Sequence, residues 1–314
     1  YRPVLVRQGK RTNRELRQLL ALTGELLEDL QKYNVPNGIT ISQTNQGLEI
    51  EKISLNSNLK KQLHSSLLKL NDDLSLKLPP PITLERKKCT LCSWQNFCDL
   101  EAQSKGLLSE VSGIGHRRRE ILESLGINSI KDLAKYNPYI LSKKLKNFGR
   151  QAEEIAYQLV SQAETQITGN PKRINNNLIL PELYDASGVL IYDIESDSDA
   201  KQDFLHGFIY IKKDEYGNWN VKDAKYHPIL MLYQDKESNR WKRIKRKLEH
   251  YKDCPILHYG ETEAIAIKKN ARKQKIKENE LKELENRLID IHLKVRNYWL
   301  LPVKNYGLKT IAEW

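Results

Sequence analysis

The sequence has no run of about 18 consecutive apolar residues, the length that a membrane-spanning helix needs. Its first residues also lack the basic and then apolar pattern of a secretory leader. These two absences predict a cytoplasmic protein with no membrane contact. Methionine is nearly absent, since Met231 is the only one, and the chain opens at Tyr1 and stops at Trp314 inside an amphipathic pattern. We therefore expect a fragment of a longer protein.

Acidic residues are the minority among the charged ones, with 40 Asp and Glu against 52 Lys and Arg and a net charge of +12. Because each phosphate that a basic protein neutralises releases counterions, this imbalance favours a polyanion, such as nucleic acid, as the partner. A basic protein that is merely soluble is the alternative on charge alone. The length of 314 residues allows two or three domains with a core each.

Hydrophobic periodicity predicts an α/β protein of several domains. In the first half we expect a strand at 3–6, a helix at 13–31, a hairpin at 38–54 and a helix at 55–76 that ends before the prolines at 79–81. Short glycine-separated helices fill 107–163, and the polar residues 168–177 are typical of a linker, so a domain border is expected near 170–180. In the last part we expect strands at 188–195, 204–212 and 255–259, an extended stretch to about 233, a basic helix at 238–251 and two helices over 262–297.

Two acids close the apolar strand at residues 189–195, where Asp193 and Glu195 stand two positions apart. The two-residue period of a strand puts both carboxylates on one face. Converging carboxylates bind divalent cations, usually Mg²⁺ or Mn²⁺, and two such ions can activate water and stabilise the leaving oxygen in phosphodiester hydrolysis. A solvated strand end that carries two acids is the alternative for this pair alone.

A second segment, residues 255–264, combines a buried strand with a break at Gly260 and a helix whose first turn is acidic. It resembles the second motif of the DEDD exonucleases, with Glu263 at the position of a metal-binding aspartate. Residues 288–292 and 301–309 resemble the helix and loop that follow in these proteins.

This likeness covers 188–314 and is closest to the YprB-type ribonuclease H-like domain. It implies a domain at 180–314 with a mixed sheet and flanking helices, truncated at its C-terminus. It also implies a 3′→5′ exonuclease whose Mg²⁺ or Mn²⁺ site is built from Asp193, Glu195 and Glu263, with a fourth acid beyond the end of the chain.

Three other polar residues near these motifs have ordinary explanations beside a functional one. Asp290 is either a supporting site residue or an acid that the helix dipole favours at a helix start. His258 is either close to the substrate or a satisfied histidine at the end of a buried strand. Glu261 is interpreted as a solvated turn acid.

Three of the four cysteines cluster, since Cys89, Cys92 and Cys98 have the spacing C-x2-C-x5-C. In a cytoplasmic chain, clustered thiolates indicate a metal rather than a disulfide. Cys254 lies beyond the linker and is interpreted as a lone buried thiol. The cluster resembles the end of RecB-type nucleases of the iron–sulfur class, which implies a [4Fe–4S] cluster with a fourth ligand far upstream. Zn²⁺ and three free structural thiols are the alternatives.

The N-terminal strand and helix resemble the same RecB-type, PD-(D/E)XK nuclease family, which implies a partial nuclease module at 1–103. Active members carry Glu-x-Lys on the strand, where this sequence has Leu5 and Arg7. Because leucine cannot bind a divalent metal, we expect this module to bind nucleic acid or to hold the fold rather than to hydrolyse. Gln18 either matches the family's helix glutamine or is an ordinary polar helix residue.

Residues 110–127 match a helix-hairpin-helix motif in which glycines make the turn and three arginines follow it. The glycines permit a tight turn that points backbone N–H groups toward a phosphate, and the arginines add charge without base specificity. With a degenerate copy that follows, 104–170 is predicted to be a tandem pair, and a helical connector is the alternative. The predicted phosphate contacts are Gly113, Gly115, Arg117, Arg118, Arg119, Gly149 and Arg150.

The leading hypothesis is a nuclease-related protein that trims nucleic acid, preferably a single strand, with two metal ions. The order of the modules resembles RecB-like nucleases, some of which continue into a helicase, so a helicase domain or protein is a further expected partner. The alternative is a non-catalytic nucleic-acid-binding or adaptor module with degenerate nuclease sites. A cluster-bearing redox protein is opposed by the absence of any motif for an electron-transfer partner.

Overall fold

The computed structural model describes residues 1–8, 12–44, 47–78, 82, 89, 92–146, 155–197, 202–231 and 237–314. The chain folds into two compact units. Unit 1 comprises Tyr1–Pro81, Glu195–Leu205 and Leu230–Leu232, and unit 2 comprises Ile82–Ile194, His206–Ile229 and Tyr233–Trp314. The segments predicted as cysteine cluster, hairpin pair and C-terminal domain all contribute to unit 2, and the predicted borders between them stay a prediction. No described helix is both long and apolar enough to cross a bilayer.

Unit 1 is built on a three-stranded sheet of order β1-β2-β3, in which β1 is parallel to β2 and β2 is antiparallel to β3. The predicted hairpin and both predicted helices are confirmed. Each helix begins at an asparagine, because the side chains of Asn13 and Asn56 accept a hydrogen bond from a backbone N–H of the first turn. The core of the unit contains Leu20, Ala21, Val35, Ile53, Leu55 and Leu63. The elements are β1 (Val4–Gln8), α1 (Arg14–Gln31), β2 (Asn37–Thr44), β3 (Gly47–Ser54) and α2 (Ser57–Leu74).

Unit 2 opens with short helices around a core of their own. Their ends follow local signals: Ser129 and Asp132 form a capping box, and Gly106 and Gly169 end helices in the left-handed conformation. The core contains Leu108, Val111, Ile114, Leu122, Ile127, Leu133, Leu141, Leu145, Ala156, Leu159, Val160 and Ala163. The helices are α3 (Gln95–Lys105), α4 (His116–Ser124), α5 (Ile130–Lys135), α6 (Pro138–Leu145) and α7 (Ala156–Thr168).

A five-stranded sheet of order β7-β6-β5-β8-β9 forms the rest of the α/β fold. Strand β5 is parallel to β8, and β8 is parallel to β9. A separate two-stranded sheet pairs β4 with β10 in antiparallel orientation. The elements are β4 (Lys172–Arg173), β5 (Gly188–Asp197), β6 (Gln202–Lys213), β7 (Trp219–Leu230), α8 (Glu237–His250), β8 (Ile256–His258), α9 (Glu261–Lys273), α10 (Glu278–Arg287), β9 (Leu288–Asp290), α11 (Ile291–Tyr298), β10 (Trp299–Leu300) and α12 (Leu308–Glu313).

The prediction of two helices over 262–297 is wrong in one respect. A short strand, β9, interrupts the helical region and pairs with β8 through three consecutive residues. Two apolar residues and an acid between two helices show no period of their own, so only the tertiary pairing decides that they are extended. This strand determines where Asp290 lies.

Candidate active site

Three parallel strands carry polar residues at the edge of the sheet where β8 and β9 end. Strands β5, β8 and β9 are parallel, and Ile191 is paired with Leu257 while His258 is paired with Asp290. Because parallel strands have their carboxyl ends at the same edge, Asp193, which follows Ile191 by two positions, lies at this edge with His258 and Asp290.

The turn after β8 connects this edge to the next helix through two hydrogen bonds. Gly260 has φ 105° and ψ −176° and is the N-cap of α9, which carries Glu263 in its first turn. The carbonyl of Gly260 accepts a hydrogen bond of 2.7 Å from His258 Nδ1, and its N–H donates one of 3.0 Å to Asp290 Oδ1. A carbonyl can only accept, so Nδ1 of His258 carries the proton. The turn thereby fixes the start of the helix against β9.

Glu263 is an acid in unfavourable surroundings. The residue is only 7% exposed, and its Oε2 atom has no hydrogen-bond partner among the described residues. Burial raises the pKa of Glu263, a backbone hydrogen bond lowers it in part, and the negative charges of Asp193 and Asp290 raise it further. Among the described residues, no positive charge therefore compensates for the buried carboxylate.

A divalent cation fits this deficit. Carboxylate oxygens are the ligands that Mg²⁺ and Mn²⁺ prefer, and Glu263 offers a buried oxygen with no other partner among the described residues. Within the described ranges, however, no three His, Cys, Asp or Glu side chains are grouped as ligands of one ion. Asp193 and Asp290 are close enough to Glu263 to raise its pKa. The three described carboxylates do not form a complete set of metal ligands.

Glu195, the fourth acid of interest, follows Asp193 by two residues on β5. Both side chains are exposed, and the period of the strand gives them the same face. Glu195 belongs to a segment that groups with unit 1, so the site within unit 2 consists of Asp193, Glu263 and Asp290.

The neighbouring polar residues of the motifs have clear structural roles. His258 is buried and hydrogen-bonded, and burial lowers the pKa of its ring while the bond to the Gly260 carbonyl raises it in part. Asp290 caps α11 by accepting a hydrogen bond from Leu293 N–H at 3.3 Å, in addition to its bond from the Gly260 turn. Glu261 is exposed. Asp290 is thus both a helix cap and a neighbour of Glu263.

The hairpin residues of unit 2 that were predicted to contact phosphate differ in how available they are to such a ligand. Gly113 has φ 88° and Gly115 is the N-cap of α4, as a tight turn before a helix requires. Arg117 is exposed, and Arg118 Nη1 donates a hydrogen bond to the Gly113 carbonyl. Arg119 is buried, with its Nε 2.7 Å from a carboxylate oxygen of Glu123. Gly149 and Arg150 lie outside the described residues.

The cysteines do not complete a metal site. Cys89 and Cys98 are half-buried and Cys92 is exposed, and all are free thiols. Cys254 is buried, and burial raises the pKa of its thiol, which interacts with Tyr210, Tyr251 and Arg287. No set of metal ligands occurs within the residues that the structure describes, so neither a [4Fe–4S] cluster nor Zn²⁺ gains support.

In unit 1, the strand that was predicted to resemble a nuclease strand carries an ion pair. Arg7 is buried, and its Nη2 lies 3.1 Å from Glu51 Oε2. The same oxygen of Glu51 accepts a hydrogen bond from Thr12. Arg7 therefore binds an acid of the neighbouring hairpin instead of serving as a free cation.

Sequence reasoning missed a group of residues beyond β9. The Tyr259 hydroxyl donates a hydrogen bond to the Tyr306 carbonyl, and the rings of Tyr259 and His292 lie 5.4 Å apart. His292 and Arg296 both belong to α11, whose position follows from β9. If the strand at 288–290 had been predicted from the sequence, the position of this helix beside the carboxylate edge could also have been predicted.

The comparisons with known proteins support the C-terminal part of this description. Residues 190–314 match the family model RNase_H_2 of the RNase H superfamily. No curated protein and no solved structure matches the chain. The match supports an RNase H-like nuclease domain in these residues, and the mixed sheet with its flanking helices is consistent with it.

Proposed function

We propose that the chain is a metal-dependent nuclease of the 3′→5′ exonuclease type that hydrolyses phosphodiester bonds at the carboxylate edge of the sheet. The observation that carries this proposal is Glu263, a buried carboxylate without a partner for Oε2 among the described residues, whose pKa is raised by burial and by Asp193 and Asp290. The RNase H-like match supports nucleic acid as the substrate, and the net charge of +12 favours the same partner.

Asp193 and Glu263 would hold Mg²⁺ or Mn²⁺, whereas a role for Glu195 stays a prediction from the strand period alone. When bound, such an ion activates water and stabilises the charge on the leaving oxygen. Asp290 positions the site, because it accepts the N–H of Gly260 and so holds the start of α9 in place. His258 donates its Nδ1 proton to the same turn, so we assign it a positioning role.

The test is degradation of 5′-labelled single-stranded DNA and RNA oligonucleotides in Mn²⁺. Asp193→Asn and Glu263→Gln should each reduce the rate by at least about 100-fold, because a metal contributes several kcal/mol to the transition state. Glu261→Gln is the matched control, since this exposed acid lies in the same helical turn, and it should retain the activity. Activity of Glu263→Gln equal to that of the wild type would contradict the proposal.

A second candidate is a non-catalytic nucleic-acid-binding module. One observation favours it, namely that no three metal-binding side chains are grouped within the described parts of the chain. This candidate predicts binding that weakens steeply with salt and no digestion by the wild type. The cluster cofactor and the helicase partner are not needed by either candidate.

A further inference from the structure

Unit 2 contains a cleft of about 330 Å³ that is separate from the carboxylates. One wall is the hairpin, with Ser112, Gly113 and Arg118, and another is α7. The opposite wall consists of α11 and the loop after β10. The cleft therefore lies where the helical part of unit 2 meets the RNase H-like part.

All charged side chains among the described residues that line this cleft are basic. Its lining includes Arg118, His292, Arg296 and Lys304, and none of the described residues that line it is Asp or Glu. Lys304 is already paired outside the cleft lining, since its ammonium lies 2.8 Å from Asp99 and 3.3 Å from Glu110. Arg296 is exposed and has no acidic partner among the described residues. Arg296 is therefore available to an anion.

The walls of the cleft are held by polar contacts. The Tyr306 hydroxyl accepts a hydrogen bond of 2.8 Å from Leu301 N–H and lies 3.1 Å from Gln162 Oε1. Gln162 Nε2 donates to the Leu301 carbonyl at 2.8 Å, which connects α7 to the loop after β10. On the hairpin side, Gln166 accepts a hydrogen bond from Ser112 N–H at 2.9 Å. A cleft fixed in this way binds a ligand with little loss of conformational entropy.

A single helix connects the cleft to the carboxylate edge. Asp290 caps the start of α11, His292 lies in its first turn beside Tyr259, and Arg296 lies in its last turn. Six residues at about 1.5 Å each place Arg296 about 9 Å along the axis from Asp290. A stacked strand advances about 3.4 Å per nucleotide, so this separation corresponds to two or three nucleotides.

We infer that this cleft binds the phosphate backbone of a nucleic-acid strand whose end lies at the carboxylates, with Arg296 and Arg118 as the phosphate contacts. The inference rests on the proposed function and adds the path of the substrate. The hairpin motif alone predicts that both Arg117 and Arg118 contact phosphate. The cleft predicts a contact for Arg118 and not for Arg117, because only Arg118 lines it.

The experiment measures binding of a fluorescein-labelled oligothymidylate to the full chain without divalent metal, by anisotropy at several salt concentrations. Arg296→Ala and Arg118→Ala should each weaken binding about 5- to 10-fold and lower the salt slope by about 0.7, the value for one phosphate contact on a single strand. Arg117→Ala, at the exposed cation that the hairpin motif also predicts as a phosphate contact, should weaken binding less than Arg118→Ala, because Arg117 does not line the cleft. Lys131→Ala, at an exposed cation of α5 outside the cleft lining, is the control and should bind like the wild type. Arg296→Lys should restore most of the affinity, and unfolding temperatures confirm that the variants fold.

Unchanged binding by Arg296→Ala, or an equal loss in Arg117→Ala, would overturn the inference, as would an absence of binding by the wild type. The outcome is independent of hydrolysis, since binding is measured without the divalent metal that the proposed hydrolysis needs. If the wild type binds through Arg296 but digests nothing, the inference about the cleft is supported and the proposed nuclease function is contradicted. If it digests while Arg296→Ala binds unchanged, only the cleft fails.

Discussion

Glu263 lies in surroundings that oppose the stability of the fold, and the proposed metal site gives this residue a function. Its folded pKa lies above the ordinary value because burial and two neighbouring acids disfavour the charged form. The folded state therefore holds this proton to a higher pH than the unfolded state does. Stability is retained at a pH below the ordinary carboxyl pKa and is lost as the pH rises through the raised one.

A first prediction follows for Glu263→Gln in the absence of divalent metal. At pH 7.5 the substitution should increase the free energy of unfolding by about 1 kcal/mol, because it removes a buried charge without a partner. The gain should shrink as the pH falls toward the ordinary carboxyl range, where the folded wild type takes up a proton. Denaturant titrations of both proteins at several pH values measure this. A variant that is less stable than the wild type at every pH would contradict the assignment.

Single residues also mark the limit of what the sequence could predict at the site. Asp193 and the acidic first turn with Glu263 were found from the strand period and from the family likeness. The choice for Asp290 between helix cap and site residue could not be made, because one carboxylate fills both roles and only its hydrogen bond to Gly260 shows this.

At the scale of elements, the turn between β8 and α9 is the most constrained part of the site. Gly260 combines φ 105° with ψ −176°, a conformation that is essentially restricted to glycine. A Cβ atom there would meet no described atom within 4 Å, so the restriction comes from the backbone and not from crowding. Both of its backbone groups are hydrogen-bonded, to His258 and to Asp290.

The second prediction uses this turn. Gly260→Ala should lower the free energy of unfolding by about 1–3 kcal/mol and weaken Mn²⁺ binding, because strain in the turn displaces Glu263. Gly115→Ala is the matched control: it is also an N-cap glycine with open space around its Cβ position, but its φ of −90° suits any residue. The control should change stability by less than about 1 kcal/mol. Equal effects of the two substitutions in thermal unfolding would refute the role of the turn.

The elements were predicted well where they are long and poorly where they are short. The helix at 13–31, the hairpin at 38–54 and the basic helix at 238–251 carry a clear period and are confirmed. Strand β9 has three residues, and its extended form comes from pairing with β8. Because this strand was not predicted, the position of α11, which connects Asp290 with the cleft, was not predicted either.

The cysteine segment shows a different limit. The spacing of Cys89, Cys92 and Cys98 predicts ligands, but spacing cannot supply a fourth one. Cys254, the remaining thiol, interacts with Tyr210, Tyr251 and Arg287. The cysteine spacing therefore indicated a metal site, but the described residues contain no group of side chains that could bind the metal.

At the scale of the whole molecule, the net charge and the charge at the sheet edge have opposite signs. The net charge of +12 gives a general attraction for a polyanion, while the carboxylates at the sheet edge repel one unless a cation lies between them. Along α11 the acid Asp290 stands at the start and Arg296 in the last turn, an order that the helix dipole also favours. Under the proposed function, the cationic cleft and the acidic edge would together give a strand a direction of approach.

The most direct test of the account is Mn²⁺ binding to the full chain, followed by the loss of the free-ion signal in electron paramagnetic resonance. We predict that the wild type binds Mn²⁺ more tightly as the pH rises above the ordinary carboxyl range, because the proton on Glu263, whose pKa is raised by burial, competes with the metal. Glu263→Gln should weaken binding at least about 10-fold, in the range seen when a ligand shell is disturbed, and Glu261→Gln should leave it unchanged. Wild-type affinity in Glu263→Gln would show that this carboxylate does not hold the metal, and the central claim would fail.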